Sequence, residues 1–394
     1  MKVLFLGYAI SREEDSKIYG ASVAGNKMQI NLLEQLSHYQ DIDLKSITIY
    51  PTAAYPRGKV LVRRQSIHLF DAFYSRKVGF INLPIIKQIF ETLATYFEAN
   101  RLVKKEGIKT IFTYNMYPQV GLPAKWLKKK YGCEIVTLLA DLPIDEAVGR
   151  KGFSVILRKY FDYLTCNAIL YCDKIITLNK YAVKLYAPNS SYIVMEGGVE
   201  LSNQKDMPVK EYKEKNIVYS GALVEYNGII NLIKAMKYVK DQEVILHIYG
   251  RGQLENYVNY CTTKMPNVKY HGKVDNTRMM QIQREAYLLV NPRTVDDPIA
   301  MVTFPSKILE YMMSGTPVLT TKLNGFTEDY FDKMFFVEQN EPIILANKIN
   351  EIMCVPIDEL DKKALLAKQF VLENKNWKKQ CEKIYEFIKE GYHE

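Results

Sequence analysis

The clearest chemical pattern in the chain is the segment FPSKILEYMMSGTPVL, which begins at Phe304. Pro305 and Ser306 suit the first turn of a helix, where unpaired backbone amides favour an anion. Lys307 adds a positive charge, and Glu310 lies three residues later on the same helix face. Its carboxylate can accept two hydrogen bonds from a ribose diol. The segment predicts a phosphate and ribose site, with a surface Lys–Glu pair on an ordinary helix as the alternative.

Glycines follow two neighbouring predicted strands of the second half. Ser220 and Gly221 end the first strand, and Gly250-Arg251-Gly252 ends the second. Glycine at a strand-to-helix turn lets the backbone approach a phosphate, and the following helix N-terminus favours the negative charge. Two consecutive cases strengthen the phosphate interpretation. An ordinary turn remains an equal alternative for each pair taken singly.

Arg293 directly follows another predicted strand. Its fork of N–H donors suits a pyrophosphate. A salt bridge to Asp296 or Asp297 is the structural alternative.

Short apolar strands alternate with amphipathic helices along the chain. Strand candidates in the first half include Lys2–Tyr8, Lys109–Tyr114 and Glu134–Leu139, and the pattern restarts at Ile217–Ser220 after the polar stretch Glu200–Asn216. This alternation predicts an α/β fold of two Rossmann-like domains that face a cleft, with ligands at the carboxyl ends of the strands. We expect domains at residues 1–205 and 206–375. A C-terminal helix in residues 376–394 would pack back on the first domain.

Composition and charge narrow the class of protein. The chain has 394 residues and 48% hydrophobic content, which suits two α/β domains. Its apolar runs are too short for a transmembrane helix, and its six scattered cysteines show no zinc spacing. Residues 1–205 hold 28 basic and 18 acidic residues, whereas the remainder holds 25 and 26. A basic first half suits an anionic partner such as a phospholipid face, a pyrophosphate-linked lipid or nucleic acid. Plain solubility is the alternative.

The same segments resemble a known family. FPSKILEYMMSGTPVL is similar to the donor-site helix of family 4 retaining glycosyltransferases of the GT-B fold, in the variant found among bacterial surface-polysaccharide enzymes. IVYSGALVEYNGIINLIKAM resembles their strand, loop and helix that face the diphosphate. NVKYHGKV resembles the segment that meets the nucleobase, and the small-residue loop Gly20–Asn26 resembles one that approaches the donor phosphates from the other domain, although an unremarkable loop is the alternative there. DKIITLNKYAVKLY followed by EGGVE resembles the close of the acceptor domain.

The resemblance implies that Glu310 holds the ribose. The other donor contacts that it implies, together with the pattern of strand ends, are Gly25, Ser220, Gly221, Arg251, Gly272, Val274, Phe304, Pro305 and Ser306.

The sequence departs from the family pattern at four positions. The first of two usual glutamates falls on Val302, the usual arginine and lysine fall on Ala222 and Asn227, and a usual histidine falls on or near Ala140. Other cations must therefore neutralise the diphosphate if the chain is active.

We expect Arg293 and Lys307 to replace the missing cations, with Arg251 behind them. Asp141, which follows Ala140, is the first candidate for the acceptor side. No catalytic base is assigned.

The resemblance implies a cytoplasmic retaining glycosyltransferase that uses a nucleotide diphosphate sugar. Its acceptor would be a glycan or a polyprenyl-pyrophosphate-linked sugar at the inner face of the membrane, and neither a metal nor a cofactor besides the donor is expected. A non-catalytic glycosyltransferase-like subunit that binds a partner or glycan is the alternative. Nucleic-acid binding lacks any recognised motif.

Two aromatic-rich regions of the first half, Gly79–Tyr96 and Phe153–Tyr171, have amphipathic patterns and predict helices that could contact an anionic membrane. Core packing is the alternative for most of their apolar residues. The basic residues that flank them are Arg76, Lys77, Lys87, Arg150, Lys151, Arg158 and Lys159.

Overall fold

The computed structural model describes residues 1–15, 18, 22–142, 153–200 and 214–391, without the side chains of residues 153 and 154. It divides into two compact units. Unit 1 comprises Met1–Met195 and Trp377–Glu394, and unit 2 comprises Glu196–Asn376. Most of the predicted linker at 200–216 lies outside the described residues, as do Arg150, Lys151 and the start of the loop at 20–26.

Unit 1 is built on a largely parallel sheet. Its strands are β1 (Lys2–Gly7), β2 (Asp43–Thr48), β3 (Leu61–Val62), β4 (Gln65–Phe70), β5 (Phe73–Lys77), β6 (Phe80–Ile81), β7 (Thr110–Tyr114), β8 (Glu134–Leu139), β9 (Lys174–Thr177) and β10 (Ser191–Val194). Its first helices are α1 (Arg12–Asp15), α2 (Val23–Ser37), α3 (Lys87–Glu106), α4 (Pro118–Tyr131), α5 (Phe153–Ile169) and α6 (Lys180–Tyr186).

The strand order of the large sheet in unit 1 is β10-β9-β8-β7-β1-β2-β5-β4. All neighbours are parallel except β4 and β5, whereas β3 and β6 pair separately and antiparallel. The inner strands are apolar on both faces, because helices cover both sides of such a sheet. Two hydrophobic clusters, one on each side, contain Phe5 and Leu4 of β1 respectively.

Unit 2 repeats the βαβ pattern. Its strands are β11 (Asn216–Ser220), β12 (Ile245–Tyr249), β13 (Val268–Tyr270), β14 (Leu288–Asn291), β15 (Val318–Thr321) and β16 (Phe335–Val337). Its helices are α7 (Ile229–Ala235), α8 (Glu255–Lys264), α9 (Asn276–Glu285), α10 (Pro298–Val302), α11 (Lys307–Met313), α12 (Pro342–Met353) and α13 (Ile357–Asn374). Single 3₁₀ turns lie at Glu225–Asn227 and Glu328–Tyr330.

The sheet of unit 2 is wholly parallel, in the order β13-β12-β11-β14-β15-β16. This is the doubly wound order of a Rossmann fold, in which the chain first builds outward from β11 in one direction and then in the other. The α/β fold class with two Rossmann-like domains is thus confirmed.

The last helix, α14 (Trp377–Lys389), returns to unit 1. Trp377, Cys381 and Ile384 are buried in the same hydrophobic cluster as Ile30 and Leu33 of α2. Their spacing places them on one helix face, so the amphipathic pattern of this segment is used for core packing.

The predicted helix at Gly79–Tyr96 is wrong in nearly its first half. Phe80–Ile81 form strand β6, and the helix begins only at Lys87. Pro84 and the left-handed backbone of Ile85 (φ 72°) explain the delay, since neither conformation continues a helix. In the described ranges, none of the helices combines the length and hydropathy that a membrane span requires.

Candidate functional site

Unit 2 has its topological switch point between β11 and β14, which lie side by side but lead to opposite halves of the sheet. Loops leave the two strands in divergent directions, and in open α/β sheets this divergence forms the ligand crevice at the carboxyl edge. Ser220 ends β11, and Arg293 follows Asn291 at the end of β14. The two residues predicted to contact a diphosphate therefore lie on either side of the switch point.

Close backbone contacts join three loops at this edge. The amide of Gly250 donates to the carbonyl of Gly272 (2.8 Å), and the amide of Gly221 donates to the carbonyl of Tyr249 (3.0 Å). Gly250 has a φ of 132°, and a Cβ there would lie 1.9 Å from the carbonyl oxygen of Gly221. Glycine is required at this position because the adjacent loops leave no room for a side chain.

A second glycine fixes the loop that carries Arg293. Gly228 has a φ of 73°, and a Cβ would lie 1.7 Å from the carbonyl oxygen of Pro292. The buried Asn340 donates from Nδ2 to the same oxygen (3.1 Å). The hydroxyl of Thr321 donates to the carbonyl of Arg293 (2.6 Å). The backbone on both sides of Arg293 is thus held in place before any ligand binds.

The side chain of Arg293 is buried but lacks a counter-ion. Its guanidinium lies 5.1 Å from the ring centroid of Tyr226, and its Nε has no hydrogen-bond acceptor in the described structure. Burial lowers the pKa of Arg293, with Tyr226 and Asp297 acting in the opposite direction. Asp297 instead caps α10 by accepting from the amides of Ile299 and Ala300, and the described residues form no ion pair with Arg293. The salt-bridge alternative is therefore not realised in these ranges.

Helix α11 is anchored to the end of β11 by Tyr311. The Tyr311 hydroxyl accepts from the amide of Ser220 (2.9 Å) and donates to its carbonyl (3.1 Å). Gln283 of α9 donates to the Ser220 hydroxyl (3.1 Å). These contacts are buried, so α11 keeps a fixed position relative to the switch point.

The exposed face of α11 carries Lys307 and Glu310, whose charged atoms lie 3.5 Å apart with side chains 43% and 58% exposed. Both groups are accessible to a ligand, and the pair is also the surface ion pair that the alternative anticipates. The predicted cap at Ser306 is absent, because this residue is already helical and its side chain accepts no capping hydrogen bond.

Phe304 and Pro305 are buried at the start of this segment. The ring of Phe304 packs against Phe326 and Tyr330 at centroid distances of 5.5 and 5.9 Å. Its side chain is therefore part of the core, and only its backbone could contact a donor.

The positions that depart from the family pattern have structural roles. The carbonyl of Ala222 accepts from the Tyr219 hydroxyl (2.8 Å) and from Nδ2 of Asn227 (2.9 Å). Val302 is buried at the end of α10. Asn227 thus shapes the loop after β11 instead of supplying a charge.

The remaining predicted contacts lie at the outer half of the edge. Arg251 is exposed, and its carbonyl accepts from the amide of Leu223 (3.0 Å). Gly272 follows β13 with a φ of 69°, and Val274 is half-buried in the loop before α9. Nearby, His271 stacks on Tyr249 with a centroid distance of 4.6 Å.

Unit 1 has its own switch point between β1 and β7, and a pocket of about 380 Å³ lies at the carboxyl ends of these strands. We call it the carboxylate pocket. Among the side chains that line it are those of Tyr8, Glu91, Asn115, Tyr117, Asp141 and Asp162. Gly25 also lines it, so the structure brings together Gly25 and Asp141 of the predicted residues.

Asp141 is positioned by Asn115, a residue with a left-handed φ of 60°. The Asn115 side chain accepts from the amides of Ala140 (2.8 Å) and Asp141 (3.0 Å) and donates to the Asp141 carboxylate (3.1 Å). Asparagine tolerates this backbone conformation better than most residues. Burial among the pocket walls raises the pKa of Asp141, whereas hydrogen bonds from Asn115 and Tyr117 oppose the shift.

Glu91 is the most perturbed carboxyl group of the pocket. It is buried on α3, and loss of solvent raises its pKa to about 7, with Lys87 and Gln119 lowering it. The Nζ atom of Lys87 lies 3.5 Å from the Glu91 carboxylate. This lysine also donates to the carbonyl of Thr52. Near neutral pH, Glu91 can therefore either donate or accept a hydrogen bond.

At the other wall of the pocket, Gly25 lies in the first turn of α2. Its amide donates to the Ser22 hydroxyl (3.1 Å), and an added Cβ would lie 3.0 Å from the Tyr114 hydroxyl. A small residue is needed here because the tyrosine occupies the adjacent space. The residues Gly20 and Ala21 of the same predicted loop lie outside the described ranges.

Several residues of these sites were missed from sequence. Tyr226 and Tyr311 lie inside motifs that were recognised, but nothing in their spacing showed that one covers Arg293 and the other anchors α11. Glu91 and Tyr117 lie on helices whose contact with β1 and β7 is decided by the sheet order. In the residues described, no group of three or more His, Cys, Asp or Glu side chains is placed to hold a metal ion.

Comparisons with known proteins agree with this architecture. Residues 214–354 match the family model described as "Glycosyl transferases group 1". No curated protein sequence matches the chain. Among solved structures, sucrose-phosphate synthase from Thermosynechococcus elongatus superposes with a TM-score of 0.70 at 14% identity, covering 99% of each chain.

Two further solved structures are similar over their full length. Anabaena HepE in complex with UDP gives a TM-score of 0.66 at 14% identity and covers 99% of this chain and 100% of its own. The lipopolysaccharide outer core galactosyltransferase WaaB gives 0.67 at 14% identity and covers 100% of both. HepE has also been solved with UDP-glucose. The chain therefore has the GT-B fold, and its residues 214–354 are similar to the group 1 glycosyl transferases.

Proposed function

We propose that the chain is a retaining glycosyltransferase of family 4 that takes a sugar from a nucleotide diphosphate sugar. The observation that carries the proposal is Arg293, a buried arginine beside the switch point of unit 2 that forms no ion pair with the residues described. A buried guanidinium is costly unless paired, and a donor diphosphate would supply the missing charge. The complexes of HepE with UDP and UDP-glucose support a nucleotide sugar as the ligand at this edge.

In this proposal Arg293 and Lys307 stabilise the negative charge that develops on the leaving diphosphate. Arg293 is held rigidly by its loop, so its position costs little reorganisation during the reaction. Lys307 is exposed and acts as a mobile point charge. Glu310 accepts hydrogen bonds from the ribose hydroxyls, and the glycine-lined backbone after β11 and β12 approaches the phosphates.

The experiment that tests this assignment measures donor turnover in Arg293→Ala. We expect kcat for hydrolysis or transfer of the preferred nucleotide sugar to fall about 100-fold or more, because one preorganised charge is typically worth this much. Arg278→Ala, which removes an exposed arginine from α9 of the same unit, is the matched control and should change kcat only a few-fold. Equal rates for wild type and Arg293→Ala would reject the assignment.

A panel of nucleotide sugars should be screened first with the purified wild-type protein. Product analysis by NMR of the anomeric proton tests retention, since retention and inversion give opposite anomers. The absence of any donor turnover, together with tight glycan binding, would favour the non-catalytic subunit. That alternative is motivated by Ala222, Asn227 and Val302 at the positions of the usual charged residues.

We further place the acceptor in the carboxylate pocket of unit 1, as part of cell-surface polysaccharide synthesis at the inner face of the membrane. The exposed apolar side chains of α3 support a peripheral membrane contact: Ile89, Leu93 and Phe97 recur every four residues on one face. On α5, Ile156 and Tyr160 form a similar face beside Lys159. Apolar faces with nearby basic residues suit the interface of an anionic bilayer.

The membrane contact is tested by flotation with vesicles of phosphatidylglycerol or phosphatidylcholine. We expect wild type to float with the anionic vesicles and the double variant Leu93→Glu, Phe97→Glu to remain in solution. The matched control is Leu365→Glu, Leu366→Glu, which places two carboxylates at exposed leucines on α13 of unit 2. Equal flotation of both double variants would exclude α3 as the contact.

A further inference from the structure

A second cavity of unit 1, of about 720 Å³, borders the carboxylate pocket and has the opposite charge. It is formed by the loop between β2 and β3 together with β3, the start of β4 and the end of β5. Four basic side chains line it: Arg57, Lys59, Arg63 and Lys77. No carboxylate is among its lining residues in the described part of the chain. We call this cavity the basic pocket.

The cations of the basic pocket contrast with their immediate neighbours. Arg64 and Arg76 both bind Glu98, at 2.9 and 3.0 Å. Within the described ranges, Lys59 and Arg63 have no such ion pair. Arg64 is therefore neutralised by the buried Glu98, whereas the adjacent Arg63 faces the cavity.

Lys77 is the innermost of the four. Its Nζ lies 4.8 Å from the ring centroid of Tyr50. Burial lowers the pKa of Lys77, the nearby Glu14 raises it, and Lys59 lowers it further. An anion near Lys59 and Lys77 would offset the repulsion between them and raise the pKa of Lys77 again. The electrostatics thus favour a negatively charged ligand.

The two cavities adjoin at Tyr50 and Thr52, which line both. On one side, Asp141, Glu91 and the tyrosine hydroxyls suit the hydroxyl groups of a sugar. They would repel a phosphate at the same place. On the other side, four cations suit a phosphate or diphosphate. One ligand that carries both groups would occupy both cavities.

We propose that the basic pocket binds the phosphate or diphosphate of a phosphate-linked sugar acceptor, whose sugar ring lies in the carboxylate pocket. The inference rests on the proposed glycosyltransferase function for its biological meaning. The anion site itself depends only on the four cations and on the shared wall. It narrows the acceptor class from any glycan to one in which an anionic group lies next to the accepting sugar.

The first test is calorimetry with inorganic pyrophosphate at low ionic strength. We expect wild type to bind at two places, the basic pocket and the edge with Arg293. Lys59→Gln, Arg63→Gln should weaken the first at least tenfold, while Arg293→Ala weakens the second. Arg64→Gln is the control for each single substitution, because it removes one positive charge from the residue next to Arg63. Thermal melts of each variant verify folding, and unchanged binding by the folded double variant would overturn the proposal.

A second test separates a sugar phosphate from a lipid headgroup. With a pyrophosphate-linked sugar as acceptor, the double variant should raise KM at least tenfold and change kcat less than twofold. The methyl glycoside of the same sugar should show no such change in KM. Loss of binding to phosphatidylglycerol vesicles with pyrophosphate binding retained would assign the pocket to lipid headgroups and overturn the proposal.

Failure of the acceptor inference can be distinguished from failure of the proposed glycosyltransferase function. If wild type turns over no nucleotide sugar, the proposed activity fails, but pyrophosphate calorimetry still decides whether the basic pocket binds an anion. If donor turnover is present and the double variant binds pyrophosphate as wild type does, only the acceptor inference fails.

Discussion

The two switch points of this chain differ in how tightly their loops pack and in the side chains that they carry. At the edge of unit 2, close-packed glycine backbone and one buried arginine form the site, and the loops are locked to one another by hydrogen bonds. In unit 1, the equivalent edge opens into a pocket lined by carboxyl, amide and phenol groups. A switch point thus carries a rigid edge with a buried arginine in one unit and a pocket with titratable carboxyl groups in the other. Topology locates a site, and the side chains decide its chemistry.

The largest expected effect is the loss of stability when a Cβ is added to the crowded backbone of unit 2. Gly250→Ala should lower the free energy of unfolding by more than about 3 kcal/mol, because the φ of 132° and the 1.9 Å approach to Gly221 both oppose a Cβ. Gly107→Ala is the control: its φ is 65°, nothing lies within 4 Å, and about 1–2 kcal/mol is expected. Urea denaturation measures both, and equal losses would show that the edge is not crowded.

A smaller effect should appear in the pH dependence of unit 1. The folded pKa of Glu91, about 7, is higher than its ordinary value, so the folded state binds more protons between these two limits. Its contribution to stability is complete below the ordinary pKa and is lost as the pH rises toward 7, by at most about 3 kcal/mol. Glu91→Gln should flatten this part of the profile. Superimposable profiles for the variant and wild type would place the titration elsewhere.

A substitution in the carboxylate pocket should affect transfer to the acceptor without affecting nucleotide binding at the edge of unit 2. Asp141→Asn should reduce transfer to the acceptor about 30-fold, since the amide cannot accept as many hydrogen bonds from a sugar or take up a proton. Asp71→Asn, at an exposed turn of unit 1, serves as the control. Nucleoside diphosphate affinity, measured by calorimetry, should be the same in all three proteins. A large loss of nucleotide affinity in Asp141→Asn would mean that the carboxylate pocket takes part in donor binding.

The smallest effect is expected on the exposed face of α11. Glu310→Ala should weaken nucleoside diphosphate binding about tenfold, which corresponds to the loss of charge-assisted hydrogen bonds to one diol. Lys307→Ala should lower turnover more than it changes stability, because the exposed pair contributes little to folding. Unchanged affinity in Glu310→Ala would leave the two residues as an ordinary surface ion pair.

Much of the architecture could be predicted from local pattern. Strand β8 was predicted with its observed bounds, and most other strands lie within two residues of prediction, because buried parallel strands are short apolar runs between polar breaks. The excursion from β3 to β6 could not be found this way. Strands β3 and β6 have two residues each and pair with each other across the β4–β5 hairpin, and the helix expected over Gly79–Tyr96 begins only after Pro84 and Ile85.

The candidate sites divide in a similar way. Gly250 and Arg293 could be recognised because the end of a strand fixes where the next residue lies, whatever the rest of the fold does. The missing cap at Ser306 could not be predicted from sequence, because capping depends on a backbone conformation that tertiary packing decides. Phe304 stays a predicted donor contact through its backbone, because its ring fills the core with Phe326 and Tyr330.

The sequence by itself determined the α/β class, the two Rossmann-like domains and the strand ends at which a donor would bind, because hydrophobic period and glycine placement act over a few residues. Only the tertiary structure decided which loops share an edge, that Arg293 has no ion pair within the described part of the chain, and that the basic and carboxylate pockets adjoin. The reason is physical. Burial, electrostatic environment and the pairing of charges depend on groups far apart in the chain, and the sheet order alone brings those groups together.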